Sequence, residues 1–159
     1  MARAACELGR YLEHWGILLE QLGGTRMMGR VLAWLLICDP PEQTAAAIAR
    51  GVGASAGSVS TTTRALEQMG MIERLGVPGE RSAFFRMRSG TWGRLMRRRM
   101  SHLSRMSELA EEGIRRFAGE DPERALRLRE VGSYCDFIER EFPELLRRWE
   151  ELWDEERKR

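Results

Sequence analysis

The chain has 159 residues, 43% of them hydrophobic, 31% charged and 8% aromatic, which suits one compact domain or a small domain with helical extensions and excludes a disordered chain. Sixteen glycines and five prolines without a fixed repeat exclude collagen-like and Pro/Gly low-complexity architectures. The net charge of +2 is unevenly spread: residues 50–105 carry eleven arginines against Glu67, Glu73 and Glu80, whereas residues 106–159 carry eleven bases against sixteen acids.

The densest apolar run, Val31 to Cys38, is eight residues, far short of the roughly 18 to 20 that a membrane helix needs, so no membrane partner is expected. The opening MARAACELGR lacks the continuous apolar stretch of a secretory signal, and a cytoplasmic location is expected. Cys6, Cys38 and Cys135 are widely spaced, with no CxxC pair and only His14 and His102 as further soft ligands. Neither a disulfide framework, a metal site nor a cofactor is expected from that set.

Residues 4–22 read as an amphipathic helix, because Leu8, Leu12, Trp15, Leu19 and Leu22 recur at helical spacing, and Gly23-Gly24 ends it. Thr25 can cap a second helix, apolar nearly all round, which Asp39-Pro40-Pro41 stops. Thr44 looks like the N-cap of a short helix, TAAAIAR, closed by Gly51. After a four-residue turn, Ser55 can cap a helix reaching about Met69, with Gly70 at its end. A short helix, a glycine-containing turn and a second helix make helix-turn-helix spacing.

The β-prone stretches 71–75 and 83–88 flank Pro78-Gly79, which suits the centre of a type II turn; a hairpin wing is expected. Trp92, Met96, Met100, Leu103, Met106, Ala110, Ile114 and Phe117 then form one long helical stripe, broken at Gly119 and Asp121-Pro122. A last stripe runs through Leu128, Val131, Tyr134 or Cys135, Ile138 and Phe142, with Pro143 expected to kink or restart the helix before Leu145, Leu146, Trp149, Leu152 and Trp153. Five tryptophans on helices that one small domain cannot fully cover argue for a second copy, and a homodimer is expected. Leu8, Leu12, Trp15, Leu103, Phe117, Ile138, Phe142, Leu146, Trp149 and Trp153 are its candidate seam, and the Met-rich stripes could alternatively line a pocket for an unidentified small-molecule effector.

On a helical wheel of about 100° per residue, Val59, Thr62, Thr63, Leu66 and Met69 fall on one side of the 55–69 helix. Gly57, Ser60, Thr61, Arg64 and Gln68 share the other, with Ser58 and Ala65 at its flank. Short hydroxyls allow close backbone approach to a major groove, and an arginine can grip guanine or phosphate. Arg81 at the wing tip could reach a neighbouring groove, while Arg86, Arg88 and Arg97–Arg99 count as electrostatic background. The candidate DNA-contacting set is therefore Thr44, Ser55, Gly57, Ser58, Ser60, Thr61, Arg64, Gln68 and Arg81. Residues 53–57 also match G-x-S-x-G and residues 51–56 match G-x-G-x-x-A, but both chemistries need a strand before the turn and the preceding TAAAIAR is a helix pattern. No catalytic residue is assigned.

Residues 29–88, above all GSVSTTTRALE and the wing sequence PGER, resemble the winged helix-turn-helix of MarR-type transcriptional regulators, particularly the branch that includes the glycine-betaine regulator GbsR. The resemblance implies a mainly α-helical fold with a small β-hairpin wing. It further implies a dimer with interlocked N- and C-terminal helices on a pseudo-palindromic double-stranded operator, and Ser58, Ser60, Thr61, Arg64 and Arg81 as contacts. Gly79-Glu80-Arg81 stands where the wider family commonly has Asp-x-Arg, so no Asp-to-Arg brace is expected. The terminal helices carry little family signature. The expected layout is residues 1–24 for dimerisation, 25–90 for DNA binding and 91–159 for a helical dimerisation region. The function expected is a sequence-specific regulator, a repressor by family habit; the competing expectation is a winged helix that docks protein instead of DNA.

Overall fold

The computed structural model describes residues 2–76, 78, 79, 82–119 and 121–159, with side chains from Ala5 onward. In chain order the elements are α1 (Ala2–Gln21), α2 (Arg26–Ile37), β1 (Gln43–Thr44), α3 (Ala45–Val52), α4 (Ala56–Gln68), β2 (Ile72–Leu75), β3 (Phe84–Met87), α5 (Thr91–Met100), α6 (Leu103–Gly113), a π-helical turn (Ile114–Ala118) and α7 (Pro122–Glu156). They form two compact units, residues 1–91 and 92–159.

The first unit is a three-helix core backed by a small sheet. Val31 and Leu32 of α2, Ile48 and Val52 of α3, Val59 and Leu66 of α4, and Ile72 of β2 are all at most 1% exposed. Each such side chain contributes about 1.5 to 3 kcal/mol by leaving water. Every helix of this core starts on a hydroxyl cap: Thr25 accepts from Met28 N–H at 3.2 Å, Thr44 from Ala47 N–H at 3.1 Å and Ser55 from Ser58 N–H at 3.2 Å. Each cap satisfies one of the N–H groups that a helix start leaves without a partner.

The glycine that closes α3 is Gly53, not Gly51. Gly53 adopts φ +62°, its N–H serves the carbonyls of Ala49 and Arg50, and Ala54 N–H returns to Ala49, so the left-handed cap falls two residues later than the sequence suggests. Gly51 is glycine for a steric reason instead, because a Cβ there would stand 2.4 Å from the Trp34 indole. Gly79 has φ +86°, as the centre of a wing turn requires.

β2 and β3 pair antiparallel in the register Ile72–Met87, Glu73–Arg86, Arg74–Phe85 and Leu75–Phe84. β1, absent from the sequence reading, adds a third strand through Gln43–Phe85 and Thr44–Phe84, giving the order β1-β3-β2. It is two residues long, too short for any alternation to show.

In the second unit, α6 packs along α7. The single stripe expected from Trp92 to Phe117 is broken into α5, α6 and the π-helical turn, with the first break at Ser101–His102. The apolar spacing continues across that break, so periodicity alone could not reveal it. α7 runs unbroken from Pro122 to Glu156 and does not restart at Pro143. The missing N–H of one proline is tolerated in a helix whose buried side chains, Ala125, Cys135 and Leu146, lie on both sides of it. No helix among the described residues is long and apolar enough to cross a membrane.

Candidate nucleic-acid interface

α4 displays the two faces expected of it. Val59, Thr62, Thr63 and Leu66 are buried, and the Thr63 hydroxyl satisfies itself on the Val59 carbonyl at 2.9 Å. Gly57, Ser60, Thr61, Arg64 and Gln68 are exposed, with Ser58 and Ala65 half-buried at the margin. The Arg64 guanidinium makes no hydrogen bond or ion pair with the described residues, so its donors face solvent. No acid sits in the first turn of α4, which leaves the positive end of its dipole uncompensated locally.

Thr44 and Ser55 act locally as caps, and both stand where α3 and α4 begin. Thr44, Ala45 and Ala46 line one side of a cleft of about 520 Å³, with Ala56, Ser60, Arg64 and Glu67 of α4 on another and Arg74 of β2, Phe85 of β3 and Ser82 ahead of β3 closing it. Two helix starts and two guanidiniums thus converge on a single opening, with Glu67 the one carboxylate lining it among the described residues. The arrangement is suited to an anion that threads between a helix and a wing.

Arg74 is the residue that sequence reasoning missed. Strand alternation puts it on the same side as buried Ile72, yet Arg74 is exposed and lines the opening between α4 and the wing. It too lacks an ion-pair partner among the described residues. Arg86, by contrast, is held by Glu73 across the strand pair at 2.7 Å and by Glu42 at 3.1 Å. The Glu73 hydrogen bond, then that of Glu42, raises the Arg86 guanidinium above its ordinary range. Arg97 pairs with Glu150, so neither Arg86 nor Arg97 is a free cation. Arg81 lies outside the described residues.

The decoy motifs resolve by context. The segment before Ser55 is α3, not a strand, and the Ser55 oxygen is engaged as an N-cap acceptor. His102 is an exposed residue ahead of α6 whose side chain makes no cap bond. Among the described residues no group of three or more His, Cys, Asp or Glu is arranged to hold a metal ion.

Of the candidate dimer seam, Leu12, Leu103 and Leu146 are buried within their own chain, at 2%, 7% and 6% exposure. Leu8, Trp15, Ile138 and Phe142 are half-buried, while Phe117, Trp149 and Trp153 are exposed. Tyr11 and Leu18 on α1 and Phe137 on α7, outside the candidate seam, are exposed apolar side chains as well.

Comparison with known proteins decides the family. The chain is 34% identical over 150 residues to the HTH-type transcriptional regulator MmpR5 of Mycobacterium tuberculosis (strain ATCC 25618 / H37Rv), covering 94% of this chain and 91% of that one. It belongs to the MarR family of transcriptional regulators, in its MmpR5-like group. The model of MmpR5-like MarR family transcriptional regulators matches residues 90–154, so the C-terminal helices do carry a family signature, contrary to expectation. A crystal structure of a transcriptional regulator superposes with a TM-score of 0.75 at 34% identity, over 91% of this chain and 99% of that one. The regulator is thus a DNA-binding winged helix-turn-helix protein, with a mainly helical fold and a small three-stranded antiparallel sheet.

Proposed function

We propose that this regulator is a homodimeric repressor that places one α4 helix per protomer in successive major grooves of a pseudo-palindromic operator. The observation that carries the reading is the exposed face of α4, with Arg64 and, across the cleft, Arg74, neither of which has an ion-pair partner among the described residues. A strand passing from the major groove to the wing would seat a phosphate in that cleft, held by Arg74 and the start of α3 at Thr44. Ser58, Ser60, Thr61 and Gln68 would meet base edges or backbone, Gly57 would let the helix start approach closely, and Arg81 would extend the contact from the wing.

Dimerisation is supported by the apolar surface that the chain leaves open, above all Phe117, Leu145, Leu152 and Trp153 at 65%, 61%, 67% and 48% exposure. Residues 1–24 and 91–159 are assigned to that seam and residues 25–90 to DNA. The repressor sense and a kinship to GbsR-like regulators rest on the resemblance of residues 29–88. A DNA partner implies a cytoplasmic protein, and a readout by contact alone involves no catalytic step.

Selection of bound duplexes from a random-sequence pool tests the reading. A recovered consensus with two inverted half-sites about one helical turn, roughly 34 Å, apart supports it. Recovery of no consensus, with binding that is equal for every duplex, sinks it. The protein-docking alternative calls for an apolar α4 face, and the observed face is polar.

A further inference from the structure

The turn that launches α4 is held from behind by α2. The Arg30 guanidinium donates from Nη2 to the carbonyl oxygen of Val52, the last residue of α3, at 2.5 Å. The end of a helix leaves such carbonyls without an intrahelical partner, and a cation there also meets the negative end of the dipole. Gly53 and Ala54 serve the carbonyls of Ala49 and Arg50, so the Val52 carbonyl is left to Arg30. One turn further along α2, Trp34 lies against Gly51, where a Cβ would come within 2.4 to 2.6 Å of three indole carbons.

Arg30 is anchored equally at its root. A Cβ on Gly16 of α1 would stand 3.3 Å from Arg30 Cγ, and one on Gly29 would stand 2.1 Å from the Trp15 carbonyl oxygen. Helices α1 and α2 therefore cross with their backbones in contact beside the Arg30 stem. The Arg30 Nε is buried without a hydrogen-bond partner, and no carboxylate pairs with the guanidinium among the described residues. A buried donor left unsatisfied is costly, so capping one helix end is a poor return for placing an arginine here.

We propose that Arg30 is a positioning residue for DNA binding: it ties the end of α3, and with it the start of α4, to the α1–α2 crossing. This rests on the DNA-binding reading above. Arg30 touches no DNA; a shift of α1 would move Val52 and the first turn of α4 as one body.

The test uses the full chain, the duplex recovered by selection, and a scrambled duplex of equal length. Arg30→Met keeps an unbranched stem beside Gly16 and deletes the donor. Well below the variant's Tm, the expected result is a Kd for the selected duplex raised about tenfold, with the Kd for the scrambled duplex and the salt slope unchanged. A slope shallower by about 0.9 would make Arg30 a phosphate contact and overturn the proposal. An equal loss on both duplexes, or a lowered Tm with unchanged binding, would overturn it as well. If Arg30→Met fails to fold, Arg30→Gln is read by the same criteria. If the unmodified protein does not distinguish the two duplexes, the sequence-specific reading falls and the proposal for Arg30 falls with it, whereas a loss confined to the variant bears on Arg30 alone.

Discussion

Gly57→Ala separates a solvated helix face from one that a duplex must approach. Gly57 is exposed in the first turn of α4, and nothing lies within 4 Å of a Cβ built there. The folded protein therefore has no steric need for glycine at this position. Replacing a helical glycine by alanine is worth about 0.5 to 1 kcal/mol of stability. For a chain of this size that corresponds to a rise in Tm of about 1 to 4 °C. Binding is expected to move the other way, because the added methyl group stands between the helix start and the groove wall. Overpacking a close contact costs about 1 to 3 kcal/mol, or about 5- to 150-fold in Kd. Thermal unfolding by circular dichroism and fluorescence anisotropy with the selected duplex read the two effects on the same sample. A stabilised variant that binds as well as the unmodified protein would refute the placement of Gly57 against DNA.

Four other outcomes follow from the same geometry. Arg64→Ala should lose about 1 to 3 kcal/mol on the selected duplex and relax specificity at one position of each half-site, checked by titrating single-base variants; uniform binding across those variants would place Arg64 elsewhere. Arg74→Ala should weaken selected and scrambled duplexes alike and make the salt dependence shallower by about 0.9, measured as log K against log[salt]. Gly51→Ala should destabilise by about 1 to 3 kcal/mol despite its better helix propensity, because the new methyl group collides with the Trp34 indole; a raised Tm would contradict the contact. Burial, the largest of the causes acting on it, pushes the Cys38 thiol above its ordinary range, and Cys135 is fully buried, whereas Cys6 is exposed. At neutral pH, thiol labelling of the folded protein should accordingly show one fast group, and two fast groups would count against that environment.

The parts of the molecule that depend on neighbours in the chain were legible from it. Thr25, Thr44 and Ser55 are caps because a hydroxyl three residues ahead of an N–H suffices, and the two faces of α4 follow from periodicity alone. The parts that depend on distant partners were not legible. Gly51 and Gly53 are equivalent as sequence signals, and only the indole of Trp34, brought from α2, distinguishes the packed glycine from the left-handed one. β1 exists through its pairing with Phe84 and Phe85, forty residues on. Arg74 and Arg86 lie one step apart across the β2–β3 pairing, opposite Phe85 and Glu73 respectively. Yet Glu73 and Glu42 neutralise one while the cleft leaves the other open. The break at Ser101–His102 has neither glycine nor proline to announce it.

The entry of α4 into the major groove is tested most directly by methylation interference at guanine N7, an atom exposed in that groove, on the selected duplex. Two clusters of interfering guanines about 10 base pairs apart are expected, one per protomer. Full binding to a duplex methylated at every guanine of the consensus would contradict the account.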